Sequence, residues 1–378
     1  MLTAGDPAAR PPVPDAMPRP VRAKSRRDDE GAPMDLVAAT ERLRPLERAP
    51  GLLLAVSGGP DSMALLRLVA DWARAAGRPR VEVATVDHGL RAESRQECEA
   101  VVRWAEAAGL AATILTWEGD KPVGAMQERA REARYRLLAE RARTIGASHV
   151  VVAHHADDAA ETVLLRLLAG SGIAGLAGMA PLSPLDELVL ARPLLDVPKE
   201  RLIATCRAFG QRYVSDPSNA DARFLRPRLR RISTALAAEG LDRGRLLRLA
   251  ARAARADAAL RQMTDTACAA CAPRATAQGL SFTAAALAAQ PAEIVARVLG
   301  TFIDAARAAA PGPRAPLRLE RLEELARRFA DAQARRSPLK SSLAGTILCL
   351  DSAGEATILP EGDRRRGRRA GGKTLGQV

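Results

Sequence analysis

From about residue 50 onward, short branched apolar runs alternate with longer stretches whose apolar positions recur every three to four residues. The first run, Leu52-Leu53-Leu54-Ala55-Val56, predicts a buried strand, and the amphipathic stretch 61–76 predicts a helix. A second strand is predicted over 81–86, a helix over 93–108, a third strand over 112–117 and a long helix over about 125–144. A fourth strand follows at 149–153 and a helix at 157–168, while a short helix over 36–46 leads into the first strand. Strands and helices alternating at this spacing predict βαβ units with right-handed crossovers. The expected fold is therefore α/β, a doubly wound parallel sheet, in which ligands bind beyond the carboxyl ends of the strands. From about residue 241 the pattern turns helical and alanine-rich, with helices expected over 241–262, 284–309 and 317–336. A Pro-rich break at 310–316 and two strand-like pieces, 346–350 and 356–359, complete a mainly helical C-terminal region.

A chain of 378 residues has room for two domains, and no apolar run approaches the 18 residues of a membrane span. The charge is 57 basic minus 44 acidic residues, or +13, which points to a polyanionic partner, most simply nucleic acid. The five cysteines, Cys98, Cys206, Cys268, Cys271 and Cys349, show no disulfide framework, and a reducing, cytoplasmic setting is expected. Cys268-x-x-Cys271 is a lone pair in a helical pattern with no histidine nearby, fewer ligands than zinc or a cluster takes. Residues 1–33 are Pro-rich, of mixed charge and without apolar period, so disorder is expected there. They lack the apolar core of a signal peptide, and Met17 and Met34 are alternative starts.

Candidate chemistry changes this picture at the end of the first strand. Ser57-Gly58-Gly59-Pro60-Asp61-Ser62 joins that strand to a helix. Two glycines let the backbone approach a ligand closely, and the N–H groups of a helix start attract an anion. Ser57 and Ser62 add hydroxyls, so a phosphate or pyrophosphate is the natural ligand. There is no lysine at the helix start, as the GxxxxGK[ST] loop requires. The string SGGxDS instead resembles the pyrophosphate loop of the N-type ATP pyrophosphatases. That resemblance implies ATP held by Ser57, Gly58, Gly59, Pro60, Asp61 and Ser62, with Asp61 placing a magnesium ion. A carboxylate beside phosphate oxygens suits magnesium.

Two other strand ends are polar. The second carries Asp87-His88-Gly89-Leu90-Arg91 and the fourth Ala153-His154-His155-Ala156-Asp157-Asp158-Ala159-Ala160-Glu161-Thr162. Asp158 and Glu161, three apart, share a helix face; N-capping accounts for carboxylates there but not for two histidines before them. Downstream come Gly170-Ser171-Gly172-Ile173-Ala174-Gly175, Arg192-Pro193-Leu194-Leu195 and Asp216-Pro217-Ser218-Asn219. The ordered set, over about 50–235, resembles the tRNA(Ile)-lysidine synthetases. The resemblance implies that ATP adenylates the C2 oxygen of the wobble cytidine of a CAU-anticodon isoleucine tRNA. Free lysine then displaces AMP, giving lysidine, AMP and pyrophosphate. It places Asp61, Asp158, Glu161 and Arg226 in the catalytic set. Two positions depart from the family pattern: Ala159 stands where it has Gln, and Ala169 where a basic residue is common.

Between Arg192 and Arg231 there are ten basic and four acidic residues, a local +6. Arg223, Arg228, Arg230 and Arg231 cluster behind the Asp216 motif and are expected to contact tRNA backbone. The expected organisation is a disordered extension (1–33), an ATP pyrophosphatase catalytic domain (34–235), a helical tRNA-associated region (236–360) and a basic disordered tail (361–378). A homodimer is compatible with the chain. The competing readings are another tRNA-modifying enzyme of this superfamily, such as a thiolase, and a catalytically inactive tRNA-binding protein. A thiolase usually needs cysteines near the nucleotide site, and Cys98 and Cys206 stand outside every motif.

Overall fold

The computed structural model describes residues 31–75, 77–89, 93–119, 126–214, 225–276, 279–308 and 317–361. It divides into two compact units that do not follow a single cut in the chain: 1–155 with 182–216, and 156–181 with 217–378.

The first unit opens with α1 (Leu36–Leu43), capped by the Asp35 side chain on Ala38 N–H. Then come β1 (Gly51–Ala55), α2 (Pro60–Ala73), β2 (Arg80–Asp87), α3 (Ser94–Ala107), β3 (Ala111–Thr116), α4 (Met126–Thr144) and β4 (His149–Val151). The chain leaves this unit for α5 (Ala156–Leu168) and α6 (Ile173–Leu176). It returns with β5 (Leu182–Leu185), β6 (Leu188–Ala191) and α7 (Lys199–Ala208). Among the described residues the sheet order is β3-β2-β1-β4-β6-β5. All neighbours are parallel except β5 on β6. Strands buried on both faces read as unbroken apolar runs, which is why Leu52, Leu53 and Leu54 are all at most 1% exposed. Helices α1, α2, α3 and α7 bury one core, which contains Leu43, Met63, Leu66, Trp72, Val101 and Leu202. On α4, Leu138, Ala139 and Ala142 bury a second core that includes Leu53 and Val150. The sheet is wound on both faces.

The β5–β6 hairpin was not among the sequence expectations. It turns at Asp186, whose φ is +52°, and carries Pro184 on the sheet's edge, where a missing N–H costs no ladder bond.

The second unit continues from α5 and α6 with α8 (Leu225–Ala238), α9 (Arg243–Ala270), β7 (Arg274–Thr276), β8 (Gly279–Thr283), α10 (Ala292–Ala308), α11 (Leu319–Ala334), β9 (Leu339–Leu343), β10 (Thr346–Leu350) and β11 (Glu355–Pro360). Helix α9 runs past the expected end at 262, because Thr264 and Ala267 continue its buried seam. The single helix expected over 284–309 is corrected to a 3-10 turn at Ala284–Leu287 followed by α10. Pro291 separates them, having no N–H to give a helix interior. Beside its helices the region carries an antiparallel sheet, β7-β8-β11-β10-β9 among the described residues, whose strands β10 and β11 are the two pieces expected. Phe282, Phe302 and Phe329 cluster where α10 and α11 cover that sheet.

Candidate active site

The chain runs from β1 to β2 to β3 on one side, then crosses through α4 to β4 on the other side of β1. The strand order therefore reverses between the carboxyl ends of β1 and β4, where an open α/β sheet forms a crevice. Residues 56–62 leave β1 at this point, and His154 and His155 leave β4.

The loop is shaped by short-range sterics and a few hydrogen bonds. Gly58 has φ +85°, and a Cβ there would lie 3.2 Å from both Val101 Cγ2 and Val214 Cγ2. Its carbonyl accepts a 2.8 Å hydrogen bond from Val214 N–H, fastening the loop to the segment after α7. Gly59 is the extended N-cap of α2 and Pro60 its first helical residue. Ser62 Oγ donates to the Gly59 carbonyl at 3.0 Å and accepts from Ser57 N–H at 3.2 Å. Ser57 Oγ lies 3.3 Å from Ser62 Oγ. These contacts hold the turn closed at the positive end of α2, a ready anion site.

Asp61 stands in the first turn of α2, and two residues that sequence reasoning did not place in the site converge on it. Lys199 Nζ donates to Asp61 Oδ2 at 2.9 Å, and buried His155 brings Nε2 to 3.5 Å from the same oxygen. Lys199 is set by Pro198, the N-cap of α7, and His155 by its place four residues past the end of β4, immediately before α5 begins in the chain. Burial pushes the Asp61 carboxyl up, but His155 and then Lys199 outweigh it and hold it below its ordinary value. Asp61 Oδ1 is buried and, among the described residues, has no hydrogen-bond partner. A buried anionic oxygen with nothing on it fits a divalent cation, so the residues present suit magnesium at Asp61. The only sequence hint of Lys199 was its position four residues after the Arg192–Leu195 motif, whose role was not assigned.

The neighbouring strand end, at β2, is tied to the helix that follows it. Asp87 Oδ1 accepts from Gly89 N–H at 2.9 Å and from Ser94 Oγ at 2.7 Å, tying the β2 turn to the start of α3. His88 packs edge-on against Trp117 with ring centroids 6.2 Å apart. Arg91 lies outside the described residues. Cys206 sits under the loop, its Sγ donating to the Pro60 carbonyl at 3.3 Å; burial pushes its thiol up to about 12. It stays a protonated thiol at neutral pH, unlike a reactive cysteine.

Asp158 and Glu161 lie in the second unit, on the first two turns of α5. Thr162 Oγ1 donates to the Asp158 carbonyl at 2.8 Å, and Asp157 pairs with Arg243 Nη1 at 2.8 Å. Glu161 is 7% exposed, a depth at which capping no longer accounts for a carboxylate. Ala159, in place of the family Gln, is buried in the same turns. The Gly170-Ser171-Gly172 motif ends α5 and starts α6: Gly170 has φ +64°, Ser171 N–H bonds to Arg166 O, and Gly172 is the N-cap of α6. Arg192 is buried and its Nη1 donates to Ser183 Oγ at 2.9 Å. Of the expected basic set, Arg223 lies outside the described residues. Arg226, Arg228, Arg230 and Arg231 fall on α8, and their side chains lie outside the description.

With this geometry in place, the comparisons become specific. The PP-loop domain family matches residues 35–236. A tRNA(Ile)-lysidine synthase of Rhodopseudomonas palustris is 48% identical over 349 residues, covering 89% of this chain and 99% of its own. One from Methylobacterium sp. (strain 4-46) is 50% identical over 351 residues, covering 91% and 99%. The chain belongs to the tRNA(Ile)-lysidine synthase family. Among solved structures, the U34-tRNA thiolase NcsA from Methanococcus maripaludis superposes with a TM-score of 0.50 at 16% identity, over 57% of this chain and 77% of that one. That likeness is one of fold, the PP-loop sheet. Membership of the tRNA(Ile)-lysidine synthase family brings ATP use and tRNA modification with it, and favours the ligase reading over a thiolase or an inactive binder. Among the described residues, no helix is long and apolar enough to cross a membrane.

Proposed function

We propose that this chain ligates free lysine to C2 of the wobble cytidine in a CAU-anticodon tRNA(Ile). The observation that carries the reading is Asp61, an ionised carboxylate at the switch point of the sheet with one buried oxygen left bare. In the first step the cytidine O2 attacks the α-phosphorus of ATP, and the bond to the β-phosphate breaks to release pyrophosphate. The Gly58–Ser62 turn and the α2 start hold the pyrophosphate, as donors fixed where charge develops. Asp61 would hold a magnesium ion through Oδ1, and that ion, when bound, would supply positive charge against the leaving pyrophosphate. Lys199 stands within reach of the same charge. Arg226 is assigned to the phosphate charge of the adenylate.

In the second step the lysine ε-nitrogen attacks C2, the C2–O bond to AMP breaks, and AMP leaves. Only the neutral amine is a nucleophile, so a carboxylate must hold the ammonium and take its proton. Asp158 and Glu161 are assigned that work. The thiolase alternative needs a thiolate, and buried Cys206 is ill suited to become one. A cytoplasmic setting accords with free lysine, ATP and tRNA as substrates. Nucleoside mass spectrometry of tRNA(Ile) incubated with the chain, ATP and lysine tests the reading. Lysidine is expected; a thionucleoside, or unmodified cytidine, would refute it.

A further inference from the structure

We infer that the outward face of α9 is a docking rail for tRNA backbone, an inference that rests on the tRNA reading above. Arg245, Arg248, Arg252 and Arg255 are spaced three, four and three apart and are all exposed. At 3.6 residues per turn they fall within an arc of about 80° and span about 15 Å along the axis. The opposite side of the helix is the buried seam of Leu246, Ala250, Ala253 and Asp257, of which Leu246 and Ala250 cluster with Ala160 and Val163 of α5. The rail therefore points away from the helix that carries Asp158 and Glu161.

Among the described residues nothing neutralises the charges on this rail. Among the described residues none of the four arginines has a carboxylate partner; Arg245 alone bonds internally, to the Gly240 carbonyl. Their neighbours on the same helix are engaged: Arg243 with Asp157, and Arg261 with Asp257. Helix α11 is the internal control. Its exposed Arg327 is bracketed by Glu324 and Asp331, the mixed pattern of an ordinary solvated face. On α9 three successive like-charged pairs stand at helical contact spacing, an arrangement that opposes helix stability. Arg245 and Arg248 lie in its first two turns, where the dipole disfavours cations. A row of cations that the fold does not need, on a helix otherwise clothed in alanine, suits a polyanionic backbone.

The test measures binding of unmodified tRNA(Ile) by the full chain as a function of KCl, for the parent and for two quadruple variants at Arg245, Arg248, Arg252 and Arg255. One replaces all four with Gln and one with Lys; both residues are good helix formers. The Gln variant is expected to lose about three units from the slope of log affinity against log salt. Its adenylation rate at saturating tRNA should match the parent, and the Lys variant should keep the parent slope to within about one unit. A Gln variant with the parent slope overturns the rail, as does a Lys variant that loses it, since the loss is then packing and not charge. If the quadruple Gln variant fails to fold, Arg252→Gln with Arg255→Gln carries the same test at about half the effect. A parent that binds tRNA but forms no lysidine refutes the preceding section alone, because the slope comparison still decides the rail.

Discussion

Asp61 in the first unit is partly buried and Asp257 in the second fully so, and each carboxylate is met by two basic side chains. Their oxygens are used differently. Asp257 is 2% exposed, with Oδ1 2.8 Å from Arg297 on α10 and Oδ2 2.6 Å from Arg261 on its own helix. Both oxygens are filled, and the pair staples α9 to α10. Both basic groups meet Asp61 at Oδ2, and among the described residues nothing hydrogen-bonds its buried Oδ1. A closed ion pair is complete without a ligand. A half-open one is completed by something that binds, and this separates a structural acid from a chemical one.

The contrast breaks most clearly by substitution at both sites. Asp61→Asn should lower the ATP-cleaving rate by about 10³-fold or more, since it removes the charge that holds the cation against the leaving group. Its thermal midpoint should stay near the parent value. Asp257→Ala should do the reverse, costing about 3 kcal/mol of stability by removing the buried carboxylate that joins Arg297 to α9 and leaving Arg297 only Glu293, with turnover per folded molecule unchanged. Calorimetry alongside a pyrophosphate-release assay reads both; Asp61 failing in stability, or Asp257 in turnover, would undo the distinction.

A second, smaller effect lies on α5. Glu161→Ala should spare formation of the adenylated cytidine and raise the lysine requirement about 10²-fold, because one charged contact to the ammonium is lost. Trapping the adenylated RNA and then titrating lysine separates the steps. Wild-type lysine saturation would remove Glu161 from the amine site.

The smallest predicted change has two signs. Lys199 competes with any cation for Asp61, yet it also stands where phosphate charge arrives. Lys199→Gln should therefore tighten magnesium binding in the absence of nucleotide, by about tenfold, while weakening ATP binding by a similar factor. Titration calorimetry with magnesium alone and then with ATP reads the two directions; movement of both in the same direction would contradict the arrangement. The pH dependence follows the same geometry. The Asp61 pKa is lowered on folding, so its contribution is complete above the ordinary value of 3.8 and fades as pH falls through the lower folded value. Removing Lys199 should move that loss to higher pH.

What could be read from residues alone follows a physical divide. The loop, the alternation of strands and helices, and the order of motifs are local patterns, and Leu52–Ser62 carries the strand, the turn and the helix start in one string. The convergence of Lys199 and His155 on Asp61 joins segments 138 and 94 residues away, which no period or spacing records. The β5–β6 hairpin was missed because its strands are short and Pro184 argues against one, except at an edge. In the second sheet, β9 (Leu-Lys-Ser-Ser-Leu) is too polar to read as a strand until β10 pairs with it. Gly170-Ser171-Gly172, conspicuous as a motif, proves to be a helix stop and start. The rail on α9 was visible as letters but hidden as a surface, since only packing tells which side of an alanine-rich helix faces water.

The central claim is that this loop cleaves ATP between its α and β phosphates to activate RNA, with Asp61 as the necessary carboxylate. The direct measurement is incubation of the chain with tRNA(Ile), lysine, magnesium and ATP labelled at the α-phosphate, with separation of the labelled products. The account predicts label in AMP, one for each lysidine formed, none in ADP, and no turnover by Asp61→Asn. Labelled ADP, or AMP released at the parent rate by Asp61→Asn, would contradict it.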